Sequence, residues 1–141
     1  MPFVVDDQTL FDVLAQNAAD LELESIRGEL FTTGSWYYRL ARASAMGSGF
    51  GSLSGRLFDL PAANQERVRR ALDELPAEVG LLSLRFVVPV MQALRVQRPL
   101  NFLGAEALAA AVMLDAEIVV GVNAPLLAAA AAELNVAYRV R

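Results

Sequence analysis

Short apolar runs of strand length alternate along this chain with stretches in which apolar residues recur at helical spacing. Phe3-Val4-Val5, closed by Asp6-Asp7, predicts a buried strand. Leu10, Val13 and Leu14 follow at helical spacing, with Asp6 or Asp7 placed to cap that helix. Asp20 to Gly28 fits neither period. Leu30-Phe31-Thr32-Thr33 predicts a second strand, and Thr33 caps a helix from Gly34 to about Ala45 with Trp36, Tyr37, Leu40 and Ala43 on its apolar face.

Ser44 to Arg56 is rich in Gly and Ser and predicts a loop. A helix from Pro61 to Leu75 carries the stripe Val68, Leu72 and Leu75, and Pro76 stops it. Its polar face offers the one-turn pairs Glu66–Arg70 and Arg69–Asp73. Val79 to Val96 is apolar and broken by Pro89, which predicts a short strand or turn and then a helix after Pro89. Gly104 to Leu114 reads as a helix and Ile118-Val119-Val120 as a buried strand. Asn123 is placed to cap a helix from Ala124 through Leu134, with Pro125 in its permissive first turn. Asn135 closes that helix, and Val136 to Val140 is the last strand.

Strand, helix and strand joined by short connections imply an α/β domain with parallel strands, and in such sheets ligands bind beyond the strand ends. The first strand ends at Asp6 and the penultimate one near Gly121 to Asn123. No internal repeat or linker divides residues 1 to 141, a length that suits one domain.

Composition narrows the chemistry. The chain has no Cys, His or Lys; all twelve basic residues are Arg. Thiolate, imidazole and Schiff-base chemistry are excluded, which leaves carboxylates, hydroxyls, Arg or a hard metal ion on oxygen ligands. A net charge of −4 opposes strong non-specific nucleic-acid binding but leaves room for a local Arg patch. An apolar share of 55% exceeds what one small core needs and points to a homo-oligomer or a protein partner. Neither a signal peptide nor a membrane span is visible, so a cytoplasmic location is expected.

Gly47, Gly49, Gly51 and Gly55 do not fit a dinucleotide fingerprint, because the third glycine is misplaced and no strand precedes the run. Asp6 and Asp7 suit either a helix cap or a hard divalent cation. Glu106, near the start of an Ala-rich helix, either serves the helix dipole or is a second ligand facing Asp6. Arg67, Arg69 and Arg70 look like a solvated face, whereas Arg85, Arg95 and Arg98 have few acids nearby and are the better phosphate-contact candidates. Ser35, Trp36, Tyr37 and Tyr38 read as packing rather than a base-stacking platform.

The order Phe3-Val4-Val5-Asp6, Thr32-Thr33, Gly104-Ala105-Glu106-Ala107-Leu108, Ile118-Val119-Val120, Asn123-Ala124-Pro125-Leu126 and Val136 to Val140 resembles PIN domains. The resemblance is best over residues 100 to 141. It implies a three-layer α/β/α fold with a central, mostly parallel sheet. Many PIN domains are ribonucleases dependent on Mg²⁺ or Mn²⁺, including toxins of toxin–antitoxin pairs, with three or four acids around the metal. On that pattern the first acid is Asp6 and the third Glu106, the two candidate catalytic residues. The second falls at Arg39 and the fourth at Asn123, while the usual Thr or Ser falls at Gly121. Asp6, Asp7, Glu106 and Asn123 are then the candidate metal set. Arg39 alters the site by pairing with Asp6 or Glu106 in the metal's place. The resemblance thus implies a nuclease relic that holds Mg²⁺ or Mn²⁺ weakly or not at all and binds RNA or a protein, such as an antitoxin-like partner. The alternatives are a divergent endoribonuclease using Asp6, Asp7 and Glu106, and a structural homodimer.

Overall fold

The computed structural model describes residues 1–15, 20–46, 51–97 and 99–141. Five short strands make one all-parallel sheet: β1 (Phe3–Val5), β2 (Leu30–Thr32), β3 (Val79–Leu81), β4 (Glu117–Val120) and β5 (Tyr138–Val140), in the order β3-β2-β1-β4-β5. Eight helices flank it among the described residues: α1 (Asp7–Leu14), α2 (Leu21–Ile26), α3 (Gly34–Ala45), α4 (Ser52–Phe58), α5 (Ala62–Asp73), α6 (Leu84–Ala93), α7 (Phe102–Leu114) and α8 (Pro125–Glu133). The expected α/β/α layering is present. None of these helices is long and apolar enough to cross a membrane.

The strands alternate sides as their period of two requires. Val5, Leu30 and Val119 enter one core with Leu10 and Leu14 of α1, Leu40 of α3 and Val68 of α5. Val4, Ile118 and Val120 enter the other with Ala107, Leu108 and Ala111 of α7 and Leu127 of α8. β1 is central, and its β-branched residues are fully buried from both faces.

Side-chain caps set most helix starts. Asp6 accepts from the Thr9 N–H, Thr33 from Trp36, Asp20 from Glu22 and Leu23, and Asn101 from Gly104. Asp20 thereby settles the segment that had no clear period as α2, followed by a 3-10 turn at Arg27–Glu29.

Three expectations need correction. The Gly/Ser-rich stretch is not loop throughout: Gly51, at φ 93°, leads into α4, and the Ser54 hydroxyl, buried there, donates to the Ala43 carbonyl. Gly47 and Gly49 lie outside the described residues. The helix expected after Pro89 begins before it, at Leu84, because Ser83 accepts from the Arg85 N–H and starts the first turn there. Pro89, in the middle of this helix, removes one helical N–H there instead of ending the helix. Asn123 does not cap α8. That helix starts after Ala124 with Pro125 in its first turn, and the Ala124 N–H donates to the Tyr138 hydroxyl. Asn135 closes α8 in the left-handed region, φ 55°, as expected.

Candidate functional site

A cleft of about 440 Å³ opens beyond the ends of β1 and β4. It lies where the sheet order reverses: β1 connects outward to β2 on one side, and β4 continues to β5 on the other. Its polar lining includes Asp6, Asp7, Gln8, Arg39, Asn101 and Asn123. Trp36, Leu103, Val122 and Leu126 contribute to its apolar wall. This is the crevice in which open parallel sheets bind ligands.

Asp6 is buried at the head of α1, and each of its carboxylate oxygens is engaged twice. Oδ1 accepts from the Thr9 N–H at 2.9 Å and the Gly121 N–H at 3.0 Å. Oδ2 accepts from Gly121 at 3.0 Å and Val122 at 3.4 Å. Those four contacts occupy the lone-pair sites of one carboxylate. Gly121 makes the approach feasible, since a Cβ at that position would stand 2.8 Å from the Gln8 Cβ. The Thr or Ser of the resembled pattern has no room there.

Asp7 is buried beside it, with its side chain only 6% exposed. Among the described residues its Oδ2 accepts no hydrogen bond. Arg39 Nε lies 3.5 Å from that oxygen, an ion pair without hydrogen-bond geometry. Burial pushes the Asp7 carboxyl above its ordinary range; Arg39 opposes the shift and Asp6 adds to it.

Glu106 is buried on α7 and is not one of the residues that line the cleft. Its Oε1 accepts from the Ser35 N–H at 2.9 Å and its Oε2 from the Ser35 hydroxyl at 3.4 Å. It therefore caps α3 together with Thr33, in the position a carboxylate favours at a helix start. Asn123 lines the cleft, and its amide oxygen accepts from the Tyr138 hydroxyl at 3.0 Å.

Arg39 does reach the strand ends, six residues past Thr33, but it pairs with Asp7 instead of Asp6 or Glu106. The reason is occupancy: Asp6 is filled by backbone amides and Glu106 is turned to Ser35. The structure thus brings Asp6, Asp7, Arg39 and Asn123 to one cleft and leaves Glu106 out. Among the described residues no three Asp, Glu, His or Cys side chains form a group able to hold a metal ion. A saturated Asp6, a diverted Glu106 and a guanidinium against Asp7 do not fit a divalent cation.

Several of the remaining candidates have structural partners. Arg95 donates to the carbonyls of Gln92 and Leu94 and closes α6, while Arg85 is exposed and Arg98 lies outside the described residues. Arg69 stands over the Phe58 ring at 5.4 Å, where a pair with Asp73 was expected, and Glu66–Arg70 forms at 3.6 Å on the exposed face. Tyr37 packs and donates its hydroxyl to the Leu72 carbonyl; Tyr38 is exposed. Sequence reasoning missed the amides of Gly121 and Val122, and Gly121 itself was their only signal. It missed Ser35 as the partner of Glu106, Trp36 as a cleft wall and Asn101 as a lining residue. Comparison with known family models and with curated proteins finds no match for the chain.

Proposed function

We propose that this domain is a PIN-like binding module, a nuclease relic whose acidic centre has become structural and whose cleft receives a ligand without cutting it. The observation that carries the reading is the saturation of Asp6. Four backbone N–H contacts stand where a metal would need the same oxygens, and Gly121 fixes them at short range. Glu106 capping α3 and Arg39 against Asp7 support it further. The divergent endoribonuclease reading needs Asp6, Asp7 and Glu106 to share one ion, and Glu106 is directed elsewhere.

The test is calorimetric titration of chelator-treated protein with Mn²⁺, run beside a cleavage assay on single-stranded RNA. The expected result is neither a stoichiometric site nor Mn²⁺-dependent cleavage. A one-to-one site of micromolar affinity that disappears in Asp6→Asn overturns the reading.

A further inference from the structure

Among the described residues, Asp7 Oδ2 is a buried oxygen of this cleft without a hydrogen bond. An unsatisfied buried acceptor is uncommon and calls for an explanation. Asp7 is buried and lines the cleft, and its Oδ2 faces a loose ion pair with Arg39. Arg39 Nε lies against that oxygen, but the side chain is half-exposed, so it can swing aside at little cost. The guanidinium then offers a planar fork of N–H donors beside a carboxylate acceptor. A ligand that presents an N–H next to a C=O on one flat edge satisfies both at once. Trp36, Leu103 and Leu126 give the flat body of such a ligand an apolar wall. The cleft volume of about 440 Å³ is within the range of small-molecule sites, roughly 300–1,000 Å³.

We propose that the cleft binds a nucleobase through its lactam edge, the ring N–H donating to Asp7 and the adjoining carbonyl accepting from Arg39. Uracil and guanine carry that edge. The proposal deepens the binding-module reading and rests on it. The same base can arrive as a free nucleoside or as an unpaired base of an RNA strand, and both present identical chemistry to Asp7 and Arg39.

The experiment is a binding titration of the intact protein with uridine, guanosine and a short single-stranded oligouridylate. 3-Methyluridine and 1-methylguanosine serve as blocked counterparts, since methylation removes the ring N–H and leaves the carbonyl. One-to-one binding is expected for at least one unblocked ligand, weakened about tenfold or more by methylation, the scale of one hydrogen bond to a charged group. Asp7→Asn, checked for folding by circular dichroism, should weaken it to a similar degree. Saturation by the nucleoside alone identifies a free ligand; binding of the oligonucleotide only identifies a strand. No binding by any of them at millimolar concentration overturns the proposal. So does binding indifferent to methylation, which needs no variant to fold. Mn²⁺-dependent cleavage of the oligonucleotide is a separate outcome: it defeats the binding-module reading while the methylation comparison still decides this one.

Discussion

Gly121 donates its backbone N–H to both carboxylate oxygens of Asp6, at 3.0 Å each, across 115 residues of chain. The end of β4 is thereby tied to the start of α1.

The tie depends on the missing side chain. In Gly121→Ala the new Cβ meets the Gln8 Cβ at 2.8 Å, so either β4 or α1 must shift. A loss of about 1–3 kcal/mol is expected, as for overpacked interiors. Urea denaturation measures it; a variant as stable as the parent would mean that the contact relaxes freely.

Removing the acceptor should cost more. Asp6→Ala strands the amides of Thr9, Gly121 and Val122 together. A loss of roughly 3 kcal/mol is expected, from a missing cap and buried unsatisfied donors. On the proposed reading, the loss should be the same in excess Mg²⁺ and in chelator. A stability that rises with Mg²⁺ in the parent and not in Asp6→Ala contradicts this.

Asp7 has a pH signature. Burial, reinforced by Asp6 and opposed by Arg39, raises its carboxyl above the unfolded value of 3.8. The folded state then holds the proton more tightly than the unfolded state. Stability is favoured below 3.8 and declines as pH rises through the folded-state value. Asp7→Asn cannot ionise, so it should melt above the parent at neutral pH, with the advantage shrinking as pH falls toward 3.8. A melting difference that does not change with pH would refute the assignment. Arg39 is half-exposed, and its removal should cost only about 0.5–1 kcal/mol at neutral pH.

Asp12 holds two guanidinium groups. One belongs to Arg56 and the other to Arg141, which also reaches Asp20. Arg141 is largely buried and Arg56 partly exposed. Asp12→Ala should therefore cost roughly 2–3 kcal/mol, less than a fully buried pair. In a double-mutant cycle with Arg141→Ala, the combined loss should fall short of the sum; strict additivity would show that the groups do not interact.

The surplus of apolar residues surfaces around α6. Leu81, Leu84, Phe86 and Val88 are exposed there, Phe86 by 62%. Light scattering at high concentration is expected to give a dimer, and Phe86→Glu to give a monomer. A monomeric parent removes the expectation of self-association.

Much of the fold was legible because local signals agreed. β1 and β2 are short runs rich in β-branched and aromatic residues, and Thr33 marks the start of α3 by its own side-chain bond. α4 was hidden because Gly and Ser are weak helix formers, and its buried Ser54 finds a tertiary partner that no local pattern encodes. Asn123 looked like a cap, but a hydroxyl fifteen residues on took its oxygen. The site was legible in position and not in pairing. Asp6, Asp7 and Arg39 arrive where strand ends and helical spacing put them. Which acid Arg39 meets was decided by backbone amides and by Ser35, and such donors leave no trace in side-chain spacing.

The central place of β1 also sets an order of assembly. Phe3 to Val5 pair with β2 and, through it, connect to β3, all within the first 81 residues. The other edge of β1 waits for β4, more than a hundred residues later. Contacts that distant in sequence form slowly. A chain emerging from the ribosome therefore carries a half-sheet with one open edge until residue 117 and those after it are made. Open edges of that kind recruit other strands, and a charge at the edge discourages it. The Asp6 carboxylate, not yet bound by Gly121, stands at the end of that edge. The carboxylate that later locks the finished domain would, during synthesis, help keep it from pairing with the wrong chain.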